Sequence, residues 1–533
     1  MLQCVVKKAA WMVLCSAVPA VAQPASDQSA VAASWAADQI KHHRVADFDR
    51  RCGWLDPNED SDGRWSDPCR TLHPEDVVAL LLADDVPREG VRIEGARIDG
   101  ALDLTAAEIK HEVSIVNSRL DGPLRLSRAV LARRMMLDGT RLAGLLDGRE
   151  LHAQSDLLMR SGTVAKGDVV LIDARIGGNL DLEGSHFEKS VKAERLQLSG
   201  SLFMNRHAVF DDDVTLHYAT IGGNLELETS AFATGLKAEG VKVSHHMFMV
   251  NAVFEQPVSI PYAHISGNLD LSGGVFTRID LSEATVSQTL ILRSSFGAAQ
   301  WCRFGGRPTL VTLRNAHADT VQESRGSWPE RLDLNGFRYE RFVGYGSAGA
   351  SRTSGRSTEE WKKWLHRSSY PGKSYDPQPY MYAAQILAAS GDRDKAMALQ
   401  FDSRQAERAQ AWSDGNWGRW AWLSVLRWLC GYGIGIYTFY VVPAVFCTVV
   451  VGVLVLFRAR AARNKGVFWC VGASLDRLLP IIELNKEFDE FFYDPERQRL
   501  RGWQLAFFSA YALWGWILGL LLVAAMSGLT QGT

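Results

Sequence analysis

Between residues 96 and 292 the chain repeats one pattern of apolar and polar positions. The segments ARIDGALDL (96–104), ARIGGNLDL (174–182), ATIGGNLEL (219–227) and AHISGNLDL (263–271) are plain copies, with weaker ones between them. One apolar residue per copy anchors the register: Ile98, Leu120, Leu142, Ile176, Leu198, Ile221, Val243, Ile265 and Val286. Successive anchors lie 22, 22, 34, 22, 23, 22, 22 and 21 residues apart, so one step hides an irregular turn or an insertion. Two residues after the anchor, seven of nine positions are Gly, which predicts a corner with positive φ. Four and six residues after it run two apolar columns, from Leu102 and Leu104 to Leu290 and Leu292. The residue between them faces the other way: Asp103, Arg125, Asp147, Asp181, Phe203, Glu226, Phe248, Asp270 and Ile291.

Apolar–polar–apolar is a strand with one buried face. One such strand per copy cannot bury its apolar side alone. Stacking the copies about 4.8 Å apart buries a continuous Leu ladder, with about 2 kcal/mol from each Leu. The predicted fold is mainly β, a β-helix or solenoid with rungs of about 22 residues over 91–345. An Asp at Leu180 or Leu225 is expected to unfold it, and an Asp at Phe203 to be tolerated on the outer face.

The pattern changes at both ends. Residues 1–22 read as a secretory signal, with Lys7 and Lys8, a short apolar core and the Ala20-Val21-Ala22 cleavage site. A cap segment, 23–90, follows. After the solenoid, 346–411 predicts a tetratricopeptide-like helical hairpin cap with the small residues Ala383, Ala384, Ala388, Gly391 and Ala396. A Trp-rich interfacial helix, 412–431, leads to two apolar stretches, 434–457 and 505–526, each long enough to cross a membrane. Arg458, Arg460, Arg463 and Lys465 follow the first, and Arg497, Arg499 and Arg501 precede the second. The positive-inside rule then makes 458–503 a cytoplasmic amphipathic hairpin and leaves the solenoid outside, where the leader would send it. The expected location is a bacterial inner membrane, with the large N-terminal domain in the periplasm.

Composition narrows the function classes. The 58 Lys and Arg nearly balance the 60 Asp and Glu, so the basic excess of a nucleic-acid binder is missing. With 47% apolar and 22% charged residues the chain is no disordered polymer. Of eight Cys, Cys4 and Cys15 lie in the leader and Cys430, Cys447 and Cys470 at the membrane segment. Cys52 and Cys69 flank a polar loop on the oxidising side, and a disulfide is expected there. Cys302 is left as a buried thiol.

A family resemblance rests on RTLHPEDVVALLLADD (70–85), the IGGNLDL and IGGNLEL copies, LNGFRYERF (334–342), PQPYMYAAQILAASGDRDKA (377–396), CGYGIG (430–435) and GASLDRLLPIIELNKEF (472–488). In these segments the chain resembles pentapeptide-repeat-like β-solenoid membrane proteins of bacteria, over most of its length. The resemblance implies no established activity. Some members are labelled membrane-associated oxidoreductases, but the chain shows neither GxGxxG after a strand nor a redox CxxC. The strict five-residue pattern is absent too, which leaves a square or a triangular cross-section open.

Several residues carry candidate chemistry. Asp103, Asp147, Asp181, Glu226 and Asp270 could pair for glycoside hydrolysis, but Arg125, Phe203, Phe248 and Ile291 interleave them as on a solvated face. His245, His246, Met247 and Met249 resemble a soft-metal cluster, although the register turns both Met inward. CGYGIG is similar to a potassium filter, but it precedes the first span and reads as a helix break. In 474–501, Leu478, Leu479, Phe488, Phe491 and Phe492 are candidates for docking a cytoplasmic partner, with Ser474 as a cap and Pro480 as a kink. Gly515 and Gly519 form a GxxxG motif that suits helix pairing in a homo-oligomer.

No complete catalytic constellation emerges, and no cofactor or metal is expected. The leading expectation is a non-enzymatic, membrane-anchored periplasmic platform for an envelope polymer or a periplasmic protein. The rivals are an enzyme acting on polysaccharide in the solenoid groove and a transmembrane sensor that signals through the cytoplasmic hairpin.

Overall fold

The computed structural model describes residues 25–59, 63–292, 309–324, 327–344, 355–370, 373–479, 484–493 and 500–526. The leader, Cys302, Pro480 and the arginines at 497 and 499 lie outside these residues. The fold is a parallel β-solenoid of about 12 turns with repeats of about 22 residues, followed by C-terminal helices. The chain divides into two units, Met1–Lys237 and Ala238–Thr533.

In the first unit each turn has four sides, with one short strand on each. One turn runs through Val130–Leu131, Met135–Met136, Arg141–Leu142 and Leu146–Asp147. Each strand pairs in parallel with its counterpart one turn on: Leu131 with Ala153, Met135 with Leu157, Leu142 with Ala165 and Leu146 with Val169. The cross-section is therefore four-sided. Four interior ladders result, all buried. The third side changes character along the coil, from Ile98, Leu120 and Leu142 to Phe187, Phe210 and Phe232. These rings stack face to face, with centroids 5.0 and 4.7 Å apart.

This geometry explains the step of 34 residues. Ile98, Leu120 and Leu142 stack on the third side. Ile176, Leu198 and Ile221 stack on the first side, above Ala153. The similar sequence copies sit in phase with two different sides, half a turn apart. Neither an insertion nor an irregular turn is needed. Leucines 22 positions apart do stack, but in two ladders: Leu102, Leu124 and Leu146 on the fourth side, and, one register step of 22 or 23 apart, Leu180, Leu202 and Leu225 on the second.

The corner glycines serve a different purpose from the one expected. Of the glycines two after the anchors, only Gly100 has positive φ. The rest are required because backbones of successive turns nearly touch there. A Cβ on Gly200 would lie 2.7 Å from the Gly178 carbonyl oxygen and 2.8 Å from its carbon. Gly200→Ala should therefore lower stability by about 2 kcal/mol through overpacking, read as a lower melting temperature of the solubilised full chain; an unchanged melt would refute the close approach. Positive φ belongs instead to two other corners: one held by Ala106, Arg128, Glu150, Asp173, Arg195 and Tyr218 with φ between 54° and 58°, the other by Asn117, Gly139, Ser161 and Gly184 with φ between 47° and 64°. Backbone bonds between turns hold these residues there, such as Arg128 N–H to Arg149 O at 2.9 Å. The second of these corners also carries buried hydroxyls. Thr140, Thr163 and Ser185 donate at 2.9 Å to the carbonyls of Ile115, Leu137 and Met159 in the turn below.

The N-terminal segment joins this coil rather than preceding it. It contains helices α1 (Ala25–Lys41), α2 (Phe48–Cys52) and α3 (Pro74–Leu82). Its strands Ala46–Asp47 and Thr71–Leu72 pair with Ile93–Glu94 and Arg97–Ile98. Cys52 and Cys69 form the expected disulfide and close the excursion between those two strands. Beside it the buried Arg70 donates to Asp49 (3.2 Å) and the Gly95 carbonyl (3.0 Å).

The second unit contains further turns, and there the first two sides fuse into single strands, Thr285–Leu292, His317–Glu323 and Arg338–Gly344. Helix α4 (Thr358–His366) covers them. Its Trp361 and Trp364 pack on Phe342 with ring centroids 5.1 and 5.3 Å apart. Arg356 caps this cluster while ion-paired to the buried Glu323. Helices α5 (Gln378–Ala389) and α6 (Arg393–Ser413) form the expected hairpin, which docks through Tyr382 to the Tyr339 carbonyl (3.1 Å). Ala383, Ala384 and Ala396 are buried in it, whereas Ala388 is exposed.

Helix α7 (Trp417–Cys430) follows, and Gly431 ends it in the left-handed conformation. CGYGIG is thus the expected helix break. The remaining helices are α8 (Val441–Leu456), α9 (Arg460–Arg463), α10 (Val467–Leu478), α11 (Lys486–Tyr493) and α12 (Gly502–Met526). Segments Gly435–Leu456 and Gly502–Leu520 are long and apolar enough to cross a membrane. Phe446, Leu454, Leu513 and Leu520 on them are exposed, as lipid-facing side chains would be. Helix α10 does not lie across the ends of these spans, as an amphipathic hairpin on the membrane face would. It packs along both: Ser474 Oγ donates to the Val449 carbonyl (3.1 Å) and shares a hydrogen bond with Tyr511 OH (2.8 Å). Small residues on its inner face, Cys470, Ala473 and Ser474, permit that approach.

Candidate functional site

The acidic residues between the Leu columns do not form one column. Asp103 and Asp147 lie on the fourth side, with Arg125 stacked between them and 3.2 Å from Asp103. Asp181 and Glu226 lie on the second side, with Phe203 between them. Asp103, Asp147, Asp181 and Asp270 share a local task. Each accepts the N–H two residues on, from Thr105 (3.0 Å), Arg149 (3.3 Å), Glu183 (3.1 Å) and Ser272 (2.9 Å). These turns close the corner after each strand. Glu226 is held by Asn205 (2.9 Å) and Asn224 (3.2 Å).

Asp181 differs from the others in being buried. Desolvation pushes its pKa from 3.8 up to about 6, and Glu183 and Asp138 push the same way. Arg160 opposes them from 3.8 Å, but its bidentate bond goes to Asp138. Phe203 stacks between Asp181 and Glu226, so an Asp there would set three acids in line. That overturns the expectation that Phe203→Asp is tolerated; Phe203→Lys is the compatible change.

The other expected sites are placed as follows. Met247 and Met249 are fully buried, and His246 Nδ1 accepts the Asn268 N–H at 3.0 Å, so that nitrogen is occupied. The partner-docking candidates Leu478, Phe488, Phe491 and Phe492 are buried in one cluster with Val449, Phe508 and Tyr511, and Leu479 is half-buried. Leu478, Phe488, Phe491 and Phe492 build the helical bundle and so are not free for docking, whereas Val467, Phe468 and Val471 of α10 are exposed. Gly515 also serves the chain itself. The Leu478 carbonyl of α10 occupies the place a Cβ would take, whereas nothing lies within 4 Å of such a position at Gly519. The expected pairing of two copies through GxxxG therefore loses Gly515 to an internal contact.

What the sequence did not single out is a groove on the first side of the coil in the first unit. It has a volume of 730 Å³ and is lined by residues of consecutive turns. His152, Arg175, Gln197 and Thr220 stand one above the next along it, all exposed. Gly177 and Ser199 keep the row beside them shallow. On the other sides charged residues pair with each other, as in Arg97–Asp121 (2.6 Å), Arg195–Asp173 (2.6 Å) and Lys237–Asp213 (2.7 Å). The side chains of His152, Arg175 and Gln197 carry no hydrogen bond to a described residue. The groove thus offers a ladder of donors about 4.8 Å apart. The signal was present as the residue before each anchor on this side, but anchors drawn from two sides concealed it. Comparison of the chain with protein-family models, with curated proteins and with solved structures finds no match.

Proposed function

We propose that the protein is a non-catalytic binding platform, anchored in a bacterial inner membrane with its solenoid in the periplasm, and that the first-side groove holds an extended envelope polymer. The supporting observation is the row His152, Arg175, Gln197 and Thr220, repeated once per turn. A periodic ladder of donors matches a periodic ligand rich in hydroxyl or carboxylate oxygens, such as a glycan chain. Many weak contacts along a stiff coil then add up. The carboxylates of the LDL segments are engaged in corner turns, which supports a binding role over hydrolysis. The resemblance to bacterial pentapeptide-repeat-like membrane proteins agrees with this placement.

A photo-crosslinking residue placed at Gln197 in the full chain, in intact cells, tests the reading. Adducts that carry glycan are expected from position 197 and not from Arg125 on the fourth side. Equal labelling at both positions, or none at 197, would sink it.

A further inference from the structure

A second pocket, of 640 Å³, opens in the other unit between the approach to α5, helix α6 and the first turn of α7. Tyr375, Ser403, Arg404, Glu407, Asp414 and Arg419 line it. Glu407 accepts Arg404 Nη1 at 2.9 Å and Arg419 Nε and Nη2 at 3.0 and 2.7 Å. Burial acts to raise its pKa, but the two guanidinium groups outweigh this and hold it below the ordinary value. Around this carboxylate the two arginines leave one net positive charge, with further N–H groups on the arginines unspent. Tyr375 OH and Ser403 Oγ share a hydrogen bond of 2.5 Å beside them. Asp414, held by Gln410 at 2.7 Å, adds a negative charge to the same lining.

The position of the pocket points to the ligand's source. Trp417, Trp422, Val425 and Trp428 are exposed along the whole length of α7. Trp412 and Trp420 extend this aromatic surface, with centroids 4.5 Å (Trp412–Trp417) and 5.0 Å (Trp412–Trp420) apart. A helix with such a stripe lies in the plane of a membrane interface. Through Gly431 it leads straight into the first apolar span, Gly435–Leu456. The first turn of α7, with Arg419, then stands at headgroup depth.

We propose that this pocket binds a phosphodiester bearing an ammonium group, supplied by the headgroup of a membrane phospholipid. Phosphate oxygens take N–H groups of Arg404 and Arg419 as charge-assisted bonds. The ammonium group meets Asp414, and the acyl chains run along the Trp stripe. This binding depends only on membrane association and does not require the first-side groove to hold a glycan.

Native mass spectrometry of the full chain, released from micelles holding phosphatidylethanolamine, phosphatidylglycerol and phosphatidylcholine, tests it. The unmodified chain should retain phosphatidylethanolamine preferentially. Arg419→Gln leaves Arg404 on Glu407 and should cut retention about tenfold or more, the loss of one charged hydrogen bond. Asp414→Asn, at an exposed position, should erase the preference for phosphatidylethanolamine over phosphatidylglycerol without weakening lipid retention. Soluble glycerophosphoethanolamine should compete poorly, because it lacks chains for the Trp stripe. If Asp414→Asn keeps the preference, or Arg419→Gln folds and retains lipid as before, the proposal fails. Displacement of lipid by an equal concentration of glycerophosphoethanolamine would overturn the membrane source and assign the site to a free phosphodiester.

Discussion

Leu225→Asp should abolish the folded coil of the first unit. Leu225 is fully buried on the second side, one turn above Leu202. An Asp there loses about 2 kcal/mol of apolar burial and adds a carboxylate with no partner, for a total of several kcal/mol. Leu202–Phe203 and Leu225–Glu226, like most strands of this unit, are two residues long, so neither keeps its place without the turns on either side. Local damage therefore spreads along the stack. Loss of the β signal in circular dichroism and rapid proteolysis within residues 91–237 are the expected readouts. Phe203→Lys, whose side chain faces outward between Asp181 and Glu226, should melt as the unmodified chain does. A native melt for Leu225→Asp would contradict the stacked ladder.

Asp181→Asn should make the protein more stable at neutral pH. The Asp181 carboxyl has a pKa raised from 3.8 to about 6 by burial. A group raised in this way binds its proton more tightly in the folded state. Its favourable contribution is complete below about pH 4 and is lost as pH rises through 6. Above that, the ionised, poorly compensated carboxylate costs about 3 kcal/mol, since each tenfold change in proton affinity corresponds to about 1.4 kcal/mol. Asn keeps an acceptor for the Glu183 N–H and does not titrate. The difference in unfolding free energy between variant and unmodified chain should therefore be near zero at pH 3.5, rise between pH 4 and 6 and level off above. Taking the difference cancels the opposite contributions of paired carboxylates such as Asp168 and Asp173, whose pKa values are lowered. A flat difference across this range would show that Asp181 is solvated.

Much of the architecture can be read in the chain because the repeat is short and its core positions are nearly uniform. Leu102, Leu124 and Leu146 recur at the rise of one turn, so their stacking is implied by spacing alone. The Phe187, Phe210 and Phe232 ladder is equally regular but harder to read, because its neighbours His186, Val209 and Ala231 share no common character. Glycine was the misleading signal. Gly200 and Gly223 are needed where two backbones nearly touch, and a sequence does not distinguish that from a turn of positive φ. Conversely, Arg128 and Glu150 adopt positive φ although nothing in their chemistry announces it; the ladder of bonds between turns imposes it.

By itself the sequence determined that apolar residues must stack at intervals of about 22, that Cys52 and Cys69 could be joined across a polar loop, and that two stretches are apolar enough to enter a bilayer. These follow from local composition and period. The tertiary structure alone decided which side of the coil each copy occupies, since two sides half a turn apart carry the same pattern. It also decided that Leu478, Phe491 and Gly515 meet within one helical bundle, and that Glu407 draws Arg404 and Arg419 together. Such pairings depend on how helices approach in space, and no periodicity along the chain records that.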